Sequence, residues 1–124
     1  KRYASEIHQL LPVNQNDWPE FDWILLGLGE DGHTASIFPG ADVLEDRNNI
    51  CAIAANPETG QIRITLTLPV INHAKRISFL VTGKNKAKMV AKILSGNESL
   101  PASFVKPNSG VLEWYLDREA GSKV

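Results

Sequence analysis

A Rossmann-like α/β layered sheet with helices on both faces is the fold this sequence predicts, and three observations carry it. Apolar runs suited to buried strands, Phe21–Gly27 and Arg76–Thr82, alternate with segments whose apolar residues recur at helical spacing. Residues 62–68 alternate strictly, with Ile62, Ile64, Leu66 and Leu68 on one side and Arg63, Thr65 and Thr67 on the other, the pattern of a half-buried strand. A glycine-rich segment follows the first run directly, where open α/β sheets place their ligand loops.

The elements follow in order. Tyr3, Ile7, Leu10 and Leu11 make one apolar face of a helix over residues 1–11. Pro12 to Pro19 is a polar, proline-bounded loop, and Phe21–Gly27 is the first buried strand. Thr34–Phe38 suits a single helical turn, stopped by Pro39-Gly40. Asn49–Ala55 is a second short apolar run, followed by the alternating strand 62–68. Pro69 then fits the first position of a short helix, Val70–Ala74. After the strand Arg76–Thr82 and a turn at Gly83, Lys84–Leu94 reads as a helix with Ala87, Val90, Ala91 and Leu94 on one face. A last strand falls near Val111–Leu116, and Asp117 is placed to cap a final helical turn.

The 124 residues fit a single domain, and a hydrophobic content of 43 % is that of an ordinary globular chain. A net charge of −1 argues against a nucleic-acid partner, which demands a basic surface. No apolar run has the length to span a bilayer, so no membrane partner is expected. Cys51 is the one cysteine and cannot form an internal disulfide, which points to a reducing, cytoplasmic setting. Cys51 itself reads as a small buried hydrophobe and the three tryptophans, Trp18, Trp23 and Trp114, as core or rim packing. His8 and His73 read as surface residues, and no metal-ligand spacing appears.

Gly-Leu-Gly-Glu-Asp-Gly-His-Thr-Ala-Ser, residues 27–36, is the stretch that carries chemistry. Gly27, Gly29 and Gly32 satisfy the spacing of a dinucleotide fingerprint, but Glu30 and Asp31 put two negative charges where a pyrophosphate would lie. No organic cofactor is expected. The better reading centres on Asp31 and His33: an acid two residues before a histidine orients the ring and favours its charged form, so that the ring activates water or protonates a leaving oxygen. The alternative is that His33 caps the next turn while Asp31 satisfies backbone amides.

Lys84, Lys86 and Lys88 crowd a helix start, where a bound phosphate would compensate their charge, although a solvated basic face explains them equally. Arg63 offers a planar clamp for a phosphate, but its face could equally meet solvent or pair with Glu58.

Residues 27–40 as a whole, Gly-Leu-Gly-Glu-Asp-Gly-His-Thr-Ala-Ser-Ile-Phe-Pro-Gly, resemble the signature loop of the 6-phosphogluconolactonase family. The resemblance extends through Arg63-Ile-Thr-Leu-Thr-Leu-Pro-Val-Ile-Asn72, Phe79-Leu-Val-Thr-Gly-Lys-Asn-Lys-Ala87, Pro101-Ala102 and Trp114-x-Leu-Asp117. The related glucosamine-6-phosphate deaminase/isomerase branch shares the Asp-Gly-His loop and carries a glutamate five residues after the histidine; this chain has Phe38 there.

The resemblance implies hydrolysis of 6-phospho-D-glucono-1,5-lactone to 6-phosphogluconate in the oxidative pentose phosphate pathway, without metal or organic cofactor. It makes His33 the general base and Asp31 its orienting acid, and sets Gly29, Glu30 and Gly32 in the substrate loop. Backbone N–H groups around Gly29 are expected to meet the developing oxyanion, while Arg63 and Lys86 hold the phosphate. The rival readings are a sugar-phosphate isomerase or deaminase and a non-catalytic sugar-phosphate-binding fragment. Members of the family also carry an earlier Ser-Gly-Gly phosphate loop and an Asp-Glu-Arg segment, neither of which is in this sequence. The chain therefore reads as the C-terminal half of such a domain. By itself it is expected to be inactive, and prone to self-association through the surface the other half would cover.

Overall fold

The computed structural model describes residues 1–97 and 99–124. In chain order its regular elements are α1 (Arg2–Leu10), β1 (Ile24–Leu26), β2 (Cys51–Ala55), β3 (Ile62–Leu66), α2 (Leu68–Asn72), β4 (Arg76–Val81), α3 (Ala87–Leu94) and β5 (Val111–Leu116). Strands β1, β4 and β5 form a parallel sheet with β4 in the middle, while β2 and β3 form a separate antiparallel hairpin.

The sheet's inward face is set by alternation. Ile24 and Leu26 lie beside Ile77 and Phe79, and Phe79 stacks on Trp114 with ring centroids 4.0 Å apart. These side chains share one core with Ile71 of α2, Val90 and Ile93 of α3, and Ala102 and Val105 at the turn Pro101–Phe104. Both crossovers advance the same way across the sheet, and right-handed connections then put their helices on one side. Of the expected cover on both faces, α2 and α3 supply one. On the other face Trp23, Leu25, Leu80, Val111 and Tyr115 are exposed.

Several elements differ from the sequence expectation. In the alternating strand the buried side is the polar one: Thr65 is 3 % exposed and Ile64 61 %. The threonines can turn inward because their hydroxyls are satisfied: Thr65 Oγ1 accepts the Ser36 N–H at 3.1 Å, and Thr67 Oγ1 donates to the Asn49 carbonyl at 2.7 Å. Ile53, opposite Ile64 on the hairpin, is exposed with it. Helix α2 begins at Leu68, so the alternating strand ends two residues early.

Residues 34–38 do not make a helical turn. Ala35 takes a φ of +50°, and the Ile37 N–H bonds back to the Thr34 carbonyl at 2.9 Å in an isolated bridge. The predicted helix 84–94 opens as a tighter turn, Lys84–Lys86, before α3. His8 is exposed as expected, but His73 is half-buried, stacked on Trp18 at 5.5 Å with Nδ1 2.6 Å from the Pro69 carbonyl. Cys51 is half-buried rather than buried, because it sits on the hairpin's outer side with Ile53. Trp23 lies at the rim of the open face, half exposed, donating to Ser78 Oγ at 2.9 Å.

Candidate active site

The glycine-rich loop leaves the carboxyl end of β1 and folds back on itself. Thr34 Oγ1 donates to the Gly27 carbonyl at 2.8 Å, and the Gly29 N–H to the His33 carbonyl at 2.9 Å. The Gly32 N–H closes on the Gly29 carbonyl at 3.0 Å, with Gly32 at a φ of +87°, where a side chain would be strained. Gly29 is required for a different reason: a Cβ there would overlap the His33 ring and the Asp31 carboxylate.

Asp31 Oδ1 accepts two hydrogen bonds from one residue. The His33 backbone N–H approaches at 3.0 Å and the ring Nδ1 at 2.6 Å. Partial burial pushes the Asp31 carboxyl up, but the His33 backbone and ring hydrogen bonds outweigh it and hold the carboxyl below its ordinary range. An ionised Asp31 can only accept, so the contact assigns the ring proton to Nδ1 and leaves Nε2 as the basic nitrogen. Phe38, itself buried, packs against the ring at 4.7 Å between centroids.

From the end of the adjacent strand β4, the turn before α3 reaches the same loop. Lys86 Nζ donates to the Leu28 carbonyl at 2.6 Å and Asn85 Nδ2 to Glu30 Oε1 at 2.5 Å. Gly27, Leu28, Gly29, His33, Thr34, Ala35 and Lys86 line an open cleft of about 350 Å³. A larger cleft of about 640 Å³ lies between α1 and Arg47–Ile50. Its acid–histidine pair, His8 and Asp17, is a loose 3.5 Å contact in solvent, whereas His33 with its 2.6 Å Asp31 contact lines the smaller one.

The structure thus brings together Asp31, His33, Gly29, Glu30, Gly32 and Lys86. Arg63 stands apart on β3, exposed, donating to Gln61 Oε1 at 2.9 Å. Its strand is tied to the loop through Thr65, two residues on and therefore on the same side, whose hydroxyl holds Ser36. The amides of Gly29 and Gly32 are spent inside the loop, so neither is available to an oxyanion. Asn85 was not legible in the sequence: its partner is 55 residues away and no pattern links them. Among the described residues no group of three His, Cys, Asp or Glu is arranged to hold a metal, and no helix is long and apolar enough to cross a membrane.

A parallel sheet with an acid-oriented histidine in the loop after a strand, and a lysine beside it on the cleft, defines a candidate acid–base site on an α/β fold. The chain belongs to the family of glucosamine-6-phosphate isomerases and 6-phosphogluconolactonases, whose model matches residues 1–114. It is 45 % identical over 123 residues to the 6-phosphogluconolactonase of Haemophilus influenzae, covering 97 % of this chain and 50 % of that protein. A solved structure described as a devB protein superimposes with a TM-score of 0.91 at 46 % identity, over 99 % of this chain and 52 % of that one. The 6-phosphogluconolactonase of Trypanosoma brucei does so with a TM-score of 0.88 at 31 % identity, over 99 % and 51 %. The chain spans about half the length of the curated relatives it matches.

Proposed function

We propose that this chain carries the acid–base centre of a 6-phosphogluconolactone hydrolase acting in the oxidative pentose phosphate pathway. The observation that carries the reading is the 2.6 Å contact of Asp31 with Nδ1 of His33, which leaves Nε2 to act as base. Nε2 takes a proton from water as the water oxygen attacks the lactone C1. The tetrahedral intermediate collapses, the bond from C1 to the ring oxygen breaks, and the proton on Nε2 passes to that oxygen. The product is the open-chain 6-phosphogluconate.

Lys86 spends one donor on the Leu28 carbonyl and keeps two for the substrate phosphate. Arg63 joins it from β3, on the side of the hairpin that holds the loop. Phe38 supports hydrolysis over isomerisation, because an apolar ring packed on His33 offers no carboxyl for a proton relay. The reading carries a cytoplasmic location with it. It also carries self-association of the 124 residues through the surface that the other half of such a domain would cover, and little turnover from them alone, since the Ser-Gly-Gly loop that the resemblance calls for is not in this sequence.

The test is lactone hydrolysis by the full polypeptide in which this sequence occurs, corrected for spontaneous opening. Acid release that disappears in His33→Gln with KM nearly unchanged supports the reading. Isomerisation or deamination of glucosamine 6-phosphate in place of hydrolysis contradicts it.

A further inference from the structure

Two side chains bind the site loop from the turn 83–86, and that turn is itself held from the far end of the chain. Gly83 takes a φ of +99°, and its N–H lies 3.2 and 3.1 Å from the two carboxylate oxygens of Asp117. Asp117 follows β5 directly, and its Oδ1 also accepts the Ala120 N–H at 2.7 Å, a capping bond over a turn rather than the expected helical one. Ala120 is fully buried in the core, which fixes the carboxylate's base. From Gly83 the line continues through its carbonyl, which accepts the Lys86 N–H at 3.2 Å. Lys86 Nζ and the Asn85 amide then grip Leu28 and Glu30 of the loop that bears His33.

We infer that Asp117 is a positioning residue: it anchors the Gly83 turn so that Lys86 and Asn85 stand at a fixed distance from the Asp31–His33 pair. It touches neither cleft nor reacting atoms, and no lining residue of the cleft belongs to β5 or the segment after it. Its effect therefore belongs on the binding side of the reaction, where Lys86 works, rather than on proton transfer. The inference rests on the lactonase reading for its kinetic form, and on the hydrogen bonds alone for its structural form.

The experiment compares Asp117→Ala and Asp117→Asn with the unaltered protein, in the full polypeptide in which this sequence occurs. Losing hydrogen bonds to a charged acceptor is expected to raise KM for the lactone by about tenfold in Asp117→Ala with kcat within about twofold. Asp117→Asn keeps an oxygen that can accept the Gly83 N–H and should restore most of the loss. In parallel, the NMR signals of the Gly83 amide and the Asn85 side-chain amide should move in Asp117→Ala and return in Asp117→Asn. If Asp117→Ala lowers only the melting temperature, leaving KM and the Asn85 signal in place, Asp117 is structural and the inference is overturned. Should the unaltered protein fail to hydrolyse the lactone, the function reading falls, and the Gly83 and Asn85 signals still decide whether the anchor exists.

Discussion

Two acid-centred networks attach to the same sheet, one in the loop after β1 and one on β4 and β5, and their difference separates a candidate reactive site from a structural lock. On the open sheet face, Glu113 accepts Arg76 Nε at 2.5 Å, Ser78 Oγ at 2.8 Å and the Tyr115 hydroxyl at 3.0 Å. The Arg76 guanidinium above all, then Ser78, pulls the Glu113 carboxyl from its ordinary range down to about 2. Arg76 in turn lies 4.4 Å over the Trp23 ring and reaches the Tyr115 hydroxyl. Asp31 is perturbed far less visibly, yet its partner His33 keeps a nitrogen with no hydrogen-bond partner among the described residues, over a cleft. The more strongly shifted acid is the one whose neighbours Arg76, Ser78 and Tyr115 are all bonded to it, with none of the three lining either cleft. What marks a site is the unspent valence next to an oriented partner, not the size of the shift.

The sharpest break of the comparison is kinetic. In the full polypeptide, under the lactonase reading, His33→Ala should lower kcat by about 10²- to 10⁴-fold, the usual worth of a positioned general base, while Glu113→Gln leaves kcat unchanged. Equal losses in both variants, measured as initial rates, would dissolve the distinction. Gly29→Ala comes next: displacing the His33 ring should cost roughly 10²-fold in kcat/KM with the fold intact by circular dichroism.

The two faces of the sheet extend the contrast to stability. Phe79, fully buried against Trp114, should lose about 3–5 kcal/mol when truncated to alanine, whereas Leu80, its exposed neighbour, should change stability by less than about 0.5 kcal/mol in denaturant unfolding. Similar values at both positions in the monomer would overturn the contrast, whereas a Leu80 value that rises with protein concentration would report self-association through this face.

The smallest effect is the pH dependence of the lock. The folded pKa of Glu113 is depressed, so its contribution is present in full above the unfolded value of about 4.5 and is lost as pH falls from there toward about 2. Glu113→Gln should flatten the stability curve over that window, lowering stability near neutrality and converging with the unaltered protein toward pH 2. Asp31 contributes with the same sign, its part being lost as the medium becomes more acid than an ordinary carboxyl pKa.

Much of this was legible beforehand, for reasons that individual residues make plain. The buried strands announced themselves because Ile24, Leu26, Ile77 and Phe79 are apolar at alternate positions next to a glycine break. His33, Asp31, Gly29 and Gly32 were legible because their interactions are local, two to four residues apart. The hairpin misled because alternation fixes which residues share a side, not which side faces the core; hydroxyl partners at Ser36 and Asn49 decided that, and both are distant in sequence. The Asn85–Glu30 and Asp117–Gly83 bonds link segments more than thirty residues apart and leave no periodic trace.

The central claim is that Asp31 holds the His33 ring with its proton on Nδ1 and Nε2 unprotonated. Long-range proton–nitrogen NMR correlations of the His33 ring above its titration range read this directly. The account predicts a protonated Nδ1 and a bare Nε2, a preference that weakens in Asp31→Ala. A bare Nδ1 with the proton on Nε2 would contradict it, and with it the role of His33 as the base.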